Sequence, residues 1–476
     1  MLTREFAENG ATTLEVPSAV PTPTQAYSVH LAEQRLVTRG VRPVPQAQPV
    51  PHPTPGPPLR SRGARVLIWK QDPVVKDMGI RPEFLPKRVL TGPEDARIAI
   101  GGMPVVAPNV FGDFIIDPAA HPDDFDTVHS FAVVRMVLTL YERFQSPTPV
   151  PWQWNTGGNT DRLEVWPHAG VTQNAYYTRS EKALKFFYFD TGTPPEAIYT
   201  CRSLDIVAHE TGHAVLDGLK PGWLGIGNPP QTGALHESFG DLTAIFLALS
   251  QLDQVEAIIA QTKANLHAKS FLADLAEQFG LALGRPNGLR NADNDLKLSQ
   301  VGTEVHELSQ VFTGGIYDVL ADIFAFERKP GIEDEAFTLY KAGHYVMGLV
   351  FRALAQSPST SPTFADVVNK MLQIATADGK VEYKQFVINR FALREVLAPA
   401  ALELAAHEAV EVAPGIQDAP DAVQDRSGCC GTMQLDEYVE SEESLEAQLE
   451  ELQRQFTTES RRTRSRATTG ARSSRK

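Results

Sequence analysis

The order of patterns along the chain predicts an α+β protein of two lobes, strand-rich first and helix-rich second. Three observations predict it. Up to about residue 200, short apolar runs alternate with glycine and proline, the punctuation of strands and turns. After Thr200, apolar residues recur every three or four positions almost throughout, which is the helical period. Before about residue 62 and after about residue 400 neither pattern holds, so the folded body is expected at 62–400, divided into a β-rich lobe 62–200 and an α-helical lobe 201–400.

Residues 1–61 carry 11 of the 35 prolines, alternating with small and polar residues, and read as an extended, largely disordered arm of polyproline character. Strands are expected at 66–69 and 114–116, where short apolar stretches stand between turn residues. A helix follows at 129–144, its apolar positions one turn apart. Turn residues return at 149–167 together with Trp152, Trp154 and Trp166, and the aromatic run 184–189 reads as a strand. Further helices are expected at 203–217, 235–250, 313–326, 335–356, 363–376 and 382–397. Residues 401–476 form a charged, largely disordered tail, acidic first and basic last: 435–451 hold eight acidic residues, while 456–476 hold seven basic ones against one acidic. The arm reads first as a spacer or remnant leader and, as the alternative, as a partner-binding segment, and the tail as a solvated tether through which a protein partner would dock.

Composition narrows the function classes. The 476 residues carry 44 basic and 58 acidic side chains, a net charge of −14, which argues against a nucleic-acid binder with its basic face. No stretch approaches 18 uninterrupted apolar residues, so no membrane span is expected. The first thirty residues contain no apolar run of secretory type. That predicts either action inside the cell or export without a cleaved signal. Three cysteines are too few for a disulfide framework, and Cys429 and Cys430, adjoining in a polar segment, lack metal-ligand spacing.

The chemistry is concentrated at His209-Glu210-Thr211-Gly212-His213, which has apolar residues on both flanks. Residues i and i+4 share a helical face. Two imidazoles one turn apart therefore place a ring nitrogen each about 2.0–2.1 Å from one Zn²⁺, with the intervening glutamate turned to the open coordination position. A chain of this composition yields roughly 0.02 such pentapeptides by chance. Downstream, in 233–241, Glu237 and Asp241 share a face of a second helix beside an apolar stripe of Leu235, Phe239, Leu242, Phe246 and Leu249. Carboxylates so placed need partners. Glu237 is expected as the third metal ligand, and Asp241 as acceptor for the ring N–H of His209.

On these residues the chain resembles the thermolysin-like zinc metallopeptidases, gluzincins whose third ligand is a glutamate on a following helix. The matching pieces are residues 205–215, the Gly-Ala-x-x-Glu-x-x-x-Asp segment, Asn174-Ala175-Tyr176-Tyr177 upstream, and Val305-His306 before a helix, in the family's order over about 110–397. The resemblance implies a bilobal fold with the metal site in the cleft, one catalytic zinc, and endopeptidase cleavage on the amino side of apolar residues. It implies a zinc-activated water with Glu210 as general base and acid, and His306 as transition-state donor. Asn174 and the Ala175 carbonyl would hold substrate backbone, and Arg290 would grip a substrate carbonyl. The loop between His213 and Glu237 is longer than the family's and lacks its cleft tyrosine, Trp223 being the nearest aromatic. The residue expected to orient His306 falls near Val301, leaving Glu304 or Glu307 for that role. His236 stands where asparagine is usual, as a cleft or a packed residue. Calcium, also usual in the family, has Asp205 as one matching ligand, but Ala248 stands where a further carboxylate is expected, so the double calcium site is incomplete.

Two other readings compete. A gluzincin aminopeptidase should carry Gly-x-Met-Glu-Asn, which Gly101-Gly102-Met103-Pro104 does not replace. A non-catalytic, zinc-stabilised interaction protein would leave Glu210 and His306 without a purpose.

Overall fold

The computed structural model of the chain describes residues 63–145, 149–191, 197–225 and 227–398. The expectations for the arm 1–61 and the tail 401–476 lie outside these residues. The described chain is mixed α+β, as the order of patterns predicts.

Strand β1 (Ala64–Trp69) pairs antiparallel with β2 (Ile80–Leu85), from Ala64↔Leu85 to Trp69↔Ile80. Its buried Ala64, Val66 and Ile68 alternate with more exposed residues, the period-2 pattern of a half-buried strand. A four-stranded sheet holds β3 (Ile98–Ile100), β4 (Leu163–Trp166), β5 (Ala175–Thr178) and β6 (Ala183–Phe186) in the order β3-β4-β6-β5, with β5 antiparallel at one edge. Strands β7 (Tyr188–Asp190) and β8 (Ala197–Tyr199) pair separately. Between β3 and β4 runs helix α1 (Pro122–Gln145), opened by Pro122 with Asp123 and Asp124 in its first turn, where the helix dipole favours acids.

The second half is helical: α2 (Leu204–Leu219), α3 (Pro230–Leu249), α4 (Leu252–Thr262), the short α5 (Glu277–Ala282), α6 (Val305–Glu327), α7 (Glu335–Gln356), α8 (Phe364–Ala377) and α9 (Val381–Leu393). A two-residue ladder of β9 (Asp274–Leu275) with β10 (Arg290–Asn291) interrupts it. Helix α2 packs on α3, and α3 on α6, so α3 lies between the other two. Fifteen residues of α2 and eighteen of α3 are buried, which is why both read as apolar nearly all round.

Several expectations need correction. The strand at 114–116 reduces to a single bridge, Val66↔Phe114, because Asp113 turns its carboxylate onto the Arg65 backbone and guanidinium. The run 184–189 breaks at Phe187, whose N–H leaves the β5–β6 ladder for the Asn174 carbonyl and the Thr200 hydroxyl. The helix expected at 313–326 begins eight residues earlier, at Val305, so His306 lies in its first turn. Helix α4 follows α3 after two residues at a 94° bend, with no glycine or proline to mark the break. No single helix among the described residues is long and apolar enough to cross a membrane.

Candidate metal centre

Helix α2 is started by Ser203, whose hydroxyl accepts from the Ile206 N–H at 3.5 Å, and this sets the phase that turns His209 and His213 to α3. Two glycines let the helices meet. A Cβ on Gly240 would stand 2.6 Å from the His209 ring, and one on Gly212 would stand 3.1 Å from the Gly240 Cα. Any side chain at either position would hold the two helices apart.

At this crossing the Nε2 atoms of His209 and His213 lie 3.0 Å apart, and the Glu237 carboxylate oxygens lie 3.4 Å and 3.5 Å from them. Ligands bound to one tetrahedral ion at about 2.0–2.1 Å are about 3.3 Å from each other, so the two ring nitrogens and the carboxylate, one oxygen facing each ring, stand close to that spacing. Both Glu237 oxygens are buried and have no hydrogen-bond partner. An ionised carboxylate left so is strongly unfavourable unless a cation joins it. The donor set, two imidazoles and one carboxylate, suits zinc.

Each histidine is oriented from behind. His209 Nδ1 lies 2.9 Å from Asp241 Oδ1, the contact expected from the sequence. His213 Nδ1 lies 3.0 Å from His236 Nδ1, which makes His236 an orienting neighbour rather than a cleft residue. Burial lowers the pKa of His213 and holds His236 down at about 3, with nearby cationic groups adding to the shift, so both rings are neutral. For His209, burial acts downward, but the Asp241 and Glu237 carboxylates outweigh it and hold the ring up at about 9. That proton and a metal ion compete for the same Nε2 lone pair, so binding of an ion releases a proton.

Glu210 is fully buried, and neither of its oxygens has a regular hydrogen-bond partner. Burial pushes its carboxyl up to about 8, against the charge of His209 and the Tyr177 backbone N–H. His306 lies across the site, its Nε2 3.5 Å from Glu237 Oε2 and its Nδ1 2.6 Å from Glu304 Oε1. Of the two candidates for orienting it, the geometry therefore selects Glu304, which also caps α6 by accepting from the His306 and Glu307 N–H groups. Glu307 accepts from Gly302 instead. Burial disfavours a charged His306, but Glu237 and Glu304 together raise its pKa.

The substrate-contact residues divide. The Arg290 guanidinium is engaged with Asp241, Nε at 2.9 Å from Oδ2 and Nη2 at 2.7 Å from Oδ1, and Nη2 also stands 3.3 Å from His209 Nδ1. In this arrangement it steadies the carboxylate behind His209. Ala175 begins the edge strand β5 and Asn174 precedes it, its Oδ1 accepting the Ala175 N–H at 2.9 Å. Strand β5 is tied to α2 through Asp217, which accepts from the Tyr177 hydroxyl at 2.8 Å and from Arg179 Nε at 2.9 Å. Sequence reasoning had no signal for this Asp217 tether, whose partners are 40 and 38 residues away. A cavity of about 10 Å³, room for roughly one water, adjoins His209 and Asp241. A groove of about 450 Å³ lined by Lys70, Phe84, Met136 and Leu252 among others contains none of these residues.

Fold and site together define an α+β protein with a buried three-residue candidate metal centre, flanked by a carboxyl group and an oriented imidazole. Comparison of the chain with protein-family models and with curated proteins gives no match.

Proposed function

We propose that the chain is a zinc-dependent metallo-endopeptidase of the thermolysin-like kind, with its sheet-bearing and helical halves as the two lobes of that fold. The observation that carries the reading is the spacing of 3.0, 3.4 and 3.5 Å among His209, His213 and Glu237, with both Glu237 oxygens unpartnered. Zinc held by these three residues supplies a Lewis acid that polarises a peptide carbonyl and acidifies water. His306 falls outside the set of ligand atoms within reach of one another, which leaves a coordination position for the reaction.

Glu210 takes the proton from the attacking water and returns it to the departing amine. The raised pKa that burial gives it suits a group that must both accept and donate near neutrality. His306, its Nδ1 fixed by Glu304, turns Nε2 toward the site and donates to the oxyanion that forms on the substrate carbonyl. An extended peptide laid along the edge strand β5 would be held by the Asn174 side chain and the Ala175 carbonyl. Apolar residues on the carboxyl side of the cut bond are the expected preference.

The near-complete burial of all three ligands favours one other reading, a closed structural zinc site in an interaction protein. The experiment that separates them uses purified full-length chain and casein. The peptidase reading expects one zinc per chain, cleavage of casein, and in Glu210→Gln full zinc content with cleavage reduced about 10²–10⁴-fold. Unchanged cleavage by Glu210→Gln, or no cleavage by the zinc-loaded unsubstituted chain, would sink it.

A further inference from the structure

Arg290 and His306 stand at the two ends of one segment, which leaves β10 at Asn291 and enters α6 at Val305. Between them runs irregular backbone with a single turn of 3₁₀ helix, Leu298–Gln300. A side chain carried on such backbone is placed only as well as the backbone is held. Residues 394 and 395, just after α9, supply the hold. The Arg394 guanidinium is 2% exposed. Its Nη1 donates to the Leu296 carbonyl at 3.0 Å and to Asn294 Oδ1 at 3.2 Å, and its Nη2 donates to the Asn294 carbonyl. The Arg394 carbonyl accepts the Leu298 N–H at 3.2 Å, and the Glu395 carboxylate accepts the Ser299 N–H at 3.0 Å. Five bonds from two consecutive residues thus grip 294–299.

The same guanidinium is anchored on the helix that carries His306. Its Nη2 pairs with Asp318 Oδ2 at 2.9 Å, and Asn294 Nδ2 donates to the Gln310 carbonyl at 3.2 Å, both acceptors lying on α6. Helix α6 makes room for it at Gly314 and Gly315. A Cβ on Gly314 would stand 2.8 Å from Arg394 Nη1 and 2.9 Å from Asn294 Nδ2, and one on Gly315 would stand 2.7 Å from the Phe391 ring and 3.3 Å from Arg394 Cδ. Adjacent glycines weaken a helix interior, and here both admit the end of α9. A guanidinium offers its N–H groups as a fixed planar fork, which is what lets one side chain serve three acceptors on the segment and a carboxylate on the helix together.

We propose that Arg394 is a positioning residue: by fixing 294–299 it sets where the first turn of α6 begins and so where His306 stands over the site, without touching metal or substrate. The inference rests on the peptidase reading above, because His306 acts in that reaction. His306 lies in the first turn after the gripped segment, so a shift of 294–299 passes directly into it. Misplacing a reacting or stabilising group by about 1 Å costs up to about 10²-fold in rate. The metal ligands His209, His213 and Glu237 belong to α2 and α3, which neither Arg394 nor the segment forms part of, so their spacing does not depend on the grip.

The test uses zinc-loaded full-length chain and fluorescently labelled casein. Arg394→Lys keeps a cation beside Asp318 but cannot serve the three acceptors of the segment. Zinc is expected to stay at one equivalent, with kcat and kcat/KM both lowered about 10–10²-fold and KM unchanged, as for an interaction made only in the transition state. In a His306→Ala background the same substitution is expected to cost no more than about threefold, because the group it positions is already gone. Asn294→Ala, which loosens the same segment and leaves the Arg394–Asp318 pair intact, repeats both comparisons if Arg394→Lys does not fold. An unchanged kcat in the folded variant would overturn the proposal. So would an equal loss in both backgrounds, or a loss of zinc, either of which would mark Arg394 as a support of the fold alone. Failure of the unsubstituted zinc-loaded chain to cleave is seen before any substitution, and it overturns the peptidase reading and this proposal with it.

Discussion

Among the described residues, two clusters built on a fully buried carboxylate bring histidine, carboxylate and, in one case, thiol groups within ligating distance of each other, and only one of them has no arginine or lysine on that carboxylate. At the first, Asp126 is fully buried but accepts Arg202 Nε at 2.8 Å and Nη2 at 2.8 Å, with His168 Nε2 at 3.0 Å and Cys201 alongside. At the second, Glu237 is equally buried beside His209 and His213 and accepts no hydrogen bond. The first cluster is complete as a salt bridge, and a cation placed there would have to displace a guanidinium. The second has no fixed cation on its carboxylate, only the exchangeable proton of His209, whose place on Nε2 a metal ion would take. Proximity of ligand types therefore separates poorly between structural and metal-binding clusters, whereas the charge balance of the buried carboxylate separates them well.

The sharpest way to break this contrast is to remove one carboxylate and, separately, one counter-ion. Glu237→Ala is expected to reduce zinc from one equivalent to below about a tenth and to abolish casein cleavage, as measured by elemental analysis and a protease assay. Arg202→Met should leave zinc content unchanged but strand the Asp126 charge. Chemical denaturation should then show a loss of about 3 kcal/mol, the low end for a broken buried pair because the guanidinium is 28% exposed. A zinc loss in Arg202→Met equal to that in Glu237→Ala would erase the distinction between the clusters.

The smallest effect is on acid stability. Burial alone would raise Asp126, but His168 and Arg202 outweigh it and hold the carboxyl below the usual range. A folded pKa below the unfolded one stabilises the protein above about pH 4, and this contribution is lost as pH falls through the folded value. The Tm difference between the unsubstituted metal-free chain and its Arg202→Met form should therefore shrink on acidification below about pH 4. A difference that grows in acid would contradict the assignment.

Much of the site is written locally, and what is local was legible. His209 and His213 are one turn apart, Glu237 and Asp241 are one turn apart, and both spacings survive folding because a helix fixes them. The β-then-α order of elements was legible from equally local patterns, whereas α6 was expected only from 313, and its start at Val305, which puts His306 in the first turn, was not. What could not be read depends on residues distant in sequence. Arg290 reaches Asp241 across 49 positions, and Tyr177 reaches Asp217 across 40. The roles of His236 and Glu304 stayed open because they turn on the direction of a side chain, not on spacing. The start of α3 at Pro230 was hidden by Pro229-Pro230, which reads as loop although proline is well suited to the first helical position. The reason for Gly212 and Gly240 emerges only where α2 and α3 touch.

The most direct test of the central claim is the zinc K-edge X-ray absorption spectrum of the purified full-length chain, since the two clusters differ in sulfur. A centre of His209, His213 and Glu237 predicts a shell of nitrogen and oxygen only, at about 2.0–2.1 Å, with scattering from two imidazoles. A zinc–sulfur distance at about 2.3 Å would instead place the metal on a cysteine, Cys201 or the Cys429-Cys430 pair, and contradict the account.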